Sequence, residues 1–579
     1  MKTFLQLLGF LRPFLGGIGL SVLASTATIA SSIGLLGTSA FLISSAALQP
    51  SIAALQVAIV GVRFFGISRG VFRYLERLSS HSINFKLLAN MRVWFYQALE
   101  PLSPARLISY QSGDLLQRAV GDIEVLENFY VRVIAPPLAA ILITLGVGLL
   151  FGSWNPSLEG VLISGLLLGG IAVPIITYHM GRNPGQTLVK VRAEMSASYV
   201  ETLQGLADLL AYGQETAVRQ RLGNLEQKLS AAQMRLAWAG GSGNALGQMT
   251  ANLTLLMVLI IAIPLVSTGK LEGVFLAVIS LVVLASFEAV SPLPQAAQML
   301  EACLASARRL FELADLEPAV KEPPKPLPAP AAGAISLRNI TFRYDESLLP
   351  VLQQVDLSLP PGRKIALVGP SGAGKSTIMA LLMRFWEPNS GTIVLDENDY
   401  RLYRSEDTRR IFALVSQSTY LFTATLRQNL LLAKADADEA DLVRVLDQAG
   451  LQDWFRQLPG GLDTWLGERG QQMSGGERQR LAVARMLLQD AQIVLLDEPT
   501  AHLDAITERQ LIETLHAVLV NRTVLWATHN LVAMDWMDEI VVLDGGQVVE
   551  HGTHDRLLQS SGLYAHLWKI QNSELIPDL

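Results

Sequence analysis

Residues 13–62 contain no Lys, Arg, Asp, Glu or His. Such a run leaves few folds open, because a chain that long and that apolar has to be solvated by lipid or by itself. A bilayer's hydrocarbon core is crossed by about 20 residues of helix, so the run is too long for one span. Its only turn signal is Gln49-Pro50-Ser51, which marks a hairpin of two membrane helices with a very short outer turn. The pattern recurs around GSWNPSLEG and around STGKLEG, which predicts six spans in three hairpins, at about 15–48, 51–80, 128–151, 158–181, 244–266 and 274–300. Composition agrees, since only 17% of residues are charged, against about a quarter in soluble proteins. Lys2 and Arg12 precede the first apolar run. A cleaved signal peptide has a shorter apolar core, so a retained span is expected.

The connections between hairpins are long and basic, carrying Lys86, Arg92, Arg106, Arg118 and Arg132 in one and Arg182, Lys190, Arg192, Arg219, Arg221, Lys228 and Arg235 in the other. The outer turns hold only Glu159, Lys270 and Glu272. The excess of positive charge places both termini and the long connections in the cytoplasm, with the chain embedded among lipids as a multi-pass protein. Gly and Pro are sparse in runs such as Arg192 to Arg221, so the membrane helices are expected to continue into the cytoplasm. A net charge of -6 argues against nucleic acid as a partner. The lone Cys303 excludes a disulfide framework and reads as a small packed residue.

Residues 1–315 thus read as a helical transmembrane domain, and residues 316–333, with six prolines from position 317 on, as an extended, semi-rigid linker. From 334 to 579 short apolar runs such as KIALVG and QIVLLDEP alternate with helical patterns. That alternation predicts an α/β domain built on buried parallel strands.

GPSGAGKST, residues 369–377, lies between the apolar strand KIALV and the helix IMALLMRFW. This is the setting a phosphate-binding loop needs. Gly369, Ser371, Gly372 and Gly374 let backbone N–H groups face phosphate. Lys375 reaches the outer phosphates, Ser376 can ligate Mg²⁺, and Thr377 follows at the helix N-terminus, whose dipole favours the anion. QIVLLDEP, residues 492–499, adds Asp497 for the Mg²⁺ shell and Glu498 to polarise an attacking water. Phosphoryl transfer depends on positioned charge more than on covalent chemistry, and these residues supply it.

Between the two lies MSGGERQR, residues 473–480. Phosphate loop, SGG signature and DEPT in that order resemble an ATP-binding cassette (ABC) ATPase. With the preceding spans, the whole chain resembles an ABC exporter half-transporter. That resemblance implies roles for matching residues. Tyr344 in FRYD would stack on adenine, and Gln417 in LVSQ would sense Mg²⁺ and the γ-phosphate. Ser474, Gly475 and Gly476 would close over the nucleotide of a second subunit. Asp504 in AHLD would couple the two ATP sites, His529 in WATHN would contact the γ-phosphate, and GERG at 467–470 would touch the membrane domain's cytoplasmic helices. Met473 and Glu477 depart from the usual signature, and Glu477 places an acid near a polyanion. One chain carries one half-site of each kind, so the working unit needs two.

The second span ends in RGVFRYLERLSSH, where Arg69, Arg73, Arg77 and His81 are four residues apart. At about 100° per residue they cover an arc of about 120°, and Arg63 falls on the same arc. A lipid-facing Arg costs about 2.5–3.5 kcal/mol at mid-membrane. The stripe must therefore face a water-filled cavity or acidic partners, which fits a path for an anionic cargo. An ion-pair network with Glu76 and neighbouring acids is the structural alternative. This stretch, with SIGLLGTSAFLISSAAL and PLSPARLISYQSGDLLQRAVGDIEVLENFYVRVIAPPL, resembles the heterodimeric CydDC exporter family on its CydC side. The resemblance implies ATP and Mg²⁺ as cofactors, a CydD-like partner chain, the bacterial cytoplasmic membrane, a link to cytochrome bd assembly, and haem or thiols (cysteine, glutathione) as cargo. His81 favours haem as ligand or cargo, since imidazole is a common axial ligand. A homodimeric exporter of lipid or amphipathic drugs stays open. Six spans oppose a non-transport cassette protein, and Glu498 opposes a nucleotide-gated channel.

Overall fold

A computed structural model describes residues 2–331, 333–467, 470, 473–501 and 503–573. Glu468 and Arg469 of the GERG stretch at 467–470 fall outside the described residues. The chain divides into two compact units, Met1–Ser103 with Leu107–Glu317 and Pro318–Leu579 with Pro104–Arg106.

The first unit is helical. Among the described residues five helices are long and apolar enough to cross a membrane, with Val274–Ser286 a shorter apolar one. A helix of 48 residues, Ile52–Leu99, carries the basic stripe. It is about 72 Å long, more than twice the hydrocarbon thickness. Its charged distal half therefore extends into water, as Lys86 and Arg92 require. Glu215–Ser267, with 53 residues, does the same. The run from Arg192 to Arg221 is not one helix: it stops at Gln204, forms the short helix Leu206–Ala211 and restarts at Glu215. Gly205 ends the first piece and Gly213 turns back at φ 63°, the left-handed stop that glycine takes at least cost.

The expected sixth span, 274–300, is in two pieces, Val274–Ser286 and Leu293–Ala314. Pro292 has no N–H to give the Glu288 carbonyl, and its ring crowds the preceding turn. Residues between the pieces are held by three-residue turns instead, including Ala289 N–H to Ser286 O (3.2 Å) and Leu293 N–H to Val290 O (3.0 Å). A second irregularity, the π-helical turn Leu168–Ala172, interrupts the fourth span.

A buried ionic cluster ties the segment after the second span to the last helix. Arg309 donates to Asp122 at 2.8 Å and to Asp114 at 2.6 Å, and Arg118 donates to Asp114 at 2.9 Å and to the Arg309 carbonyl at 2.6 Å. The Asp122 side chain is 2% exposed. Burial pushes its carboxyl up from the usual range, against the pull of Arg309. Cys303 is buried on the same helix, its thiol toward the Val125 carbonyl and pushed up by burial to about 12. Such a thiol is protonated and shielded. Maleimide at neutral pH is expected to leave the native chain unlabelled and to label one thiol after denaturation. Rapid native labelling would show that this helix opens.

Among the described residues the second unit holds ten strands. A four-stranded antiparallel sheet has the order β2-β1-β4-β5, from Ile335–Phe342 (β1), Leu352–Leu359 (β2), Ser390–Leu395 (β4) and Asn398–Asp399 (β5). A six-stranded sheet has the order β10-β9-β3-β8-β7-β6, from Lys364–Val368 (β3), Phe412–Val415 (β6), Ile493–Asp497 (β7), Thr523–Thr528 (β8), Glu539–Asp544 (β9) and Gln547–Gly552 (β10). Its central strands are parallel. Val494, Leu496, Val524 and Trp526 enter one core, while Ile493, Leu495, Leu525 and Ala527 enter the other. Both faces are covered, so these strands read as continuous apolar runs rather than alternating ones.

The proline-rich segment is extended, and it lies along this unit. Arg384 donates to the Lys321 carbonyl (3.0 Å), Glu322 accepts from Ser405 N–H (3.1 Å), and Leu327 N–H reaches the Leu402 carbonyl (2.9 Å). The Asp396 carboxylate accepts from Ala331 and Gly333 N–H at 2.7 and 2.6 Å. A segment without its own hydrogen-bond ladder is thus satisfied by the domain it borders.

Candidate functional site

Four neighbouring strands end at one sheet edge. β3 runs into Gly369, β8 into His529, β7 ends in Asp497 and runs into Glu498, and β6 runs into Ser416 and Gln417. In open parallel sheets the crevice beyond the carboxyl ends is where ligands bind. Four stretches far apart in sequence therefore place their polar side chains together.

Gly374, at φ 102°, caps the helix Lys375–Leu382. A side-chain carbon there would also lie 2.6 Å from Leu352, so both conformation and space demand glycine. Gly372 is left-handed too, at φ 83°. The Lys375 ammonium donates to the carbonyls of Gly369 (2.9 Å) and Pro370 (3.1 Å) and lies 3.8 Å from Glu498. Burial holds this ammonium below its usual range, partly offset by Glu498 and Asp497. Ser376 donates to Asp497 at 3.0 Å. Burial pushes the Asp497 carboxyl up, with Ser376 opposing.

Glu498 is the hub. Its Oε2 accepts from Gln417 Nε2 at 3.0 Å, and its Oε1 is 3.0 Å from His529 Nδ1. Its backbone is left-handed, at φ 47°, and its N–H bonds the Ala527 carbonyl at 2.9 Å. That conformation costs a non-glycine residue about 1–2 kcal/mol, and it turns the carboxylate toward Gln417 and His529. Gln417, Glu498, Thr500, Glu508, His529 and Asn530 help line a cavity of about 280 Å³. Glu508, which accepts from Asn530 at 2.7 Å, was not legible as a site residue: its motif position is an ordinary helix surface.

Tyr344 hydrogen-bonds Thr377 through its hydroxyl (3.0 Å) and packs edge-on against Phe342 and Trp386. It is 39% exposed, which leaves room for a stacked base beside the loop. Asp504 caps the helix Ala505–Val518 through the N–H groups of Ile506 (3.1 Å) and Thr507 (3.0 Å). Its hydrogen bonds from Thr507 hold the carboxyl below the usual range.

Ser474, Gly475 and Gly476 are not drawn to this chain's own phosphate loop. Gly475 and Gly476 face Leu503 and Thr507. Ser474 and Glu477 form a reciprocal cap: Ser474 N–H donates to the Glu477 carboxylate (2.7 Å) and Glu477 N–H to the Ser474 hydroxyl (3.3 Å). The expected acid facing polyanion is therefore turned to its own helix start, a pairing that Ser followed three residues later by Glu encodes.

In the first unit the basic stripe is divided. Arg69 and Arg73 both lie 3.7 Å from Glu288, in the break of the sixth span. The acid that meets them is thus Glu288, not Glu76. Arg69 and Glu288 border a cavity of about 640 Å³ with Ser32, Asn244, Gln248 and Ser291. Arg63, Arg77 and His81 are exposed and have no ion-pair partner among the described residues. His81 lies against Phe85, 6.3 Å between ring centres.

Residues 352–501 match the family model described as ABC transporter. Over 508 residues the chain is 36% identical to the glutathione/L-cysteine transport system ATP-binding/permease protein CydC of Escherichia coli (strain K12), covering 87% of this chain and 88% of that one. It is 34% identical to the protein of the same system named CydD in Bacillus subtilis (strain 168), covering 88% and 89%. The structure of a bacterial Atm1-family ABC exporter with ATP bound matches with a TM-score of 0.87 over 97% of this chain and 98% of that one, and at 24% identity this speaks for the fold alone. Taken with the apolar helices and the converging phosphate edge, these likenesses show that the chain belongs to the ABC transporter family, as a CydC-like exporter chain whose ATPase domain hydrolyses ATP to drive transport.

Proposed function

We propose that this chain is one half of a two-chain exporter that moves small acidic thiols, glutathione foremost, out of the bacterial cytoplasm, with a CydD-like chain as the other half. The reading rests on one observation: within the second span Arg69 lines a cavity together with Glu288, and Arg73 lies 3.7 Å from the same carboxylate. An arginine is stable there only with an anion or water beside it, and guanidinium pairs well with carboxylate. The E. coli and B. subtilis relatives, both named for glutathione and L-cysteine transport, support it. The basic connections put both termini and the ATPase domain in the cytoplasm. Export of thiols would then serve assembly of cytochrome bd outside.

In this reading the loop from Gly369 to Thr377 cradles the phosphates of ATP and Tyr344 holds its adenine. Ser376 and Asp497 offer a hydroxyl and a carboxylate 3.0 Å apart, a donor set that suits Mg²⁺ when water and phosphate complete the shell. Bound there, with Gln417 near, Mg²⁺ would neutralise phosphate charge. Glu498 orients the attacking water, and His529 and Gln417 hold Glu498. Ser474, Gly475 and Gly476, unengaged with their own loop, cover the partner's nucleotide, and Asp504 links the two sites.

Haem is the second reading, favoured by the exposed His81 at the end of the stripe. Inside-out vesicles holding both chains decide between them: ATP-dependent uptake of glutathione is expected, and haem uptake without glutathione uptake would reverse the choice. A Soret band that His81→Ala removes would put haem on the protein as a ligand. A stable homodimer hydrolysing ATP alone would favour lipid or amphipathic cargo.

A further inference from the structure

Two irregular features and a glycine-bearing stretch of helix meet at the cavity beside Arg69. The sixth span breaks there, and Phe287, Glu288, Val290, Ser291 and Pro294 line it. The π-helical turn of the fourth span contributes Gly169. The fifth span contributes Gly243 and Gly247 beside the amides of Asn244 and Gln248. Non-helical backbone persists at membrane depth only where protein buries it or where it lines a water-filled space. Discontinuous helices and π-turns both recur at binding sites. Here they bring together one carboxylate and two guanidinium groups.

The ionic arrangement is open rather than closed. Glu288 Oε1 is 3.7 Å from both Arg69 and Arg73, beyond the about 2.7–3.2 Å of an N–H···O hydrogen bond. Arg69 Nε is enclosed and has no hydrogen-bond partner among the described residues. Two guanidinium charges against one carboxylate leave one positive charge uncompensated. The side chains of Arg69 and Glu288 are 36% and 38% exposed, so a solute in the cavity can reach both signs of charge.

We propose that this cavity binds the α-amino acid head of the cargo: its carboxylate on Arg69 and Arg73, its ammonium on Glu288. The inference rests on the thiol-export reading and adds what that reading lacks, namely which part of the molecule is recognised. Glutathione carries two carboxylates and one ammonium, a net charge that complements the triad. Cysteine carries one of each and binds more weakly. The thiol itself is not what the site reads. Haem, with two propionates and no ammonium, leaves Glu288 facing an anion.

The test uses the purified full-length exporter, both chains together, and three tripeptides measured by titration calorimetry: glutathione, its analogue with 2-aminobutyrate in place of cysteine, and glutaryl-cysteinyl-glycine, which lacks only the ammonium. The thiol-free analogue is expected to bind within about threefold of glutathione, and the ammonium-free one about 30-fold more weakly, because a site built for a polar group is left unpaired without it. In Glu288→Gln, glutathione is expected to fall to the level of the ammonium-free compound, which itself does not weaken. Equal binding of glutathione and the ammonium-free compound by the unsubstituted exporter overturns the inference and leaves thiol export standing. So does an equal loss of both in Glu288→Gln. Binding of haem with none of the tripeptides overturns thiol export itself. If Glu288→Gln does not fold, the comparison of the three ligands on the unsubstituted protein decides alone.

Discussion

Glu498→Gln is expected to lower ATP turnover by about 10²–10⁴-fold while ATP still binds. Glutamine keeps the size of the side chain and can still meet Gln417 and His529, each 3.0 Å from the carboxylate. It loses the negative charge that polarises water. Nucleotide binding depends instead on the loop from Gly369 to Thr377, whose backbone the substitution leaves in place and whose Lys375 keeps its bonds to the Gly369 and Pro370 carbonyls. Lys375→Ala acts on the other quantity, because Lys375 is the cation that the loop's Gly369 and Pro370 carbonyls hold in place. Nucleotide affinity measured beside steady-state phosphate release separates the two effects. Full turnover by Glu498→Gln in the two-chain exporter would place hydrolysis on the partner's half-site.

Arg309→Ala is expected to destabilise the helical unit by about 3–5 kcal/mol. Asp122, 2% exposed, and Asp114 would lose the guanidinium that bonds them at 2.8 and 2.6 Å. Burial already disfavours the Asp122 charge, and without Arg309 the carboxyl must either stay uncompensated or take up a proton. An exposed pair provides the contrast. Arg410 and Glu406 form an ion pair with both side chains about 70% exposed, and Arg410→Ala should cost about 0–1 kcal/mol. Thermal unfolding in detergent reads both. Equal small shifts would mean that the buried cluster is hydrated in the membrane protein and contributes little.

The two predictions concern different parts of one machine. Hydrolysis happens at strand ends in the cassette. The ionic cluster fastens Leu293–Ala314, which continues from the broken sixth span and precedes the cassette's proline-rich segment. A weakened cluster is therefore expected to affect the helical unit first, leaving the cassette's own core of strands intact.

Much of the chain was legible because its chemistry is local. Fifty uncharged residues from 13 to 62 need lipid, whatever the rest of the chain does. The phosphate loop is a strand, a glycine-rich turn and a helix start in one short stretch, so its members are neighbours by covalent connection. The Ser474–Glu477 cap is equally local, its three-residue spacing lying open in SGGE, but the resemblance drew attention to the acid's charge instead. Pro292 and Pro294 in SPLP lie at the break in the sixth span, a local signal that the reading of 274–300 as one span by apolar length passed over.

What only the tertiary structure decided is which distant charges meet. Periodicity placed Arg69 and Arg73 on one helical arc, but it could not name Glu288, more than two hundred residues later, as the acid between them. Nor could it show that Asp122 belongs to Arg309, or that His529 and Gln417 share the carboxylate of Glu498. Periodicity along a helix or strand fixes the direction a side chain takes from its own axis. The partner it finds depends on how separate elements pack, and that is set by contacts summed over the whole fold.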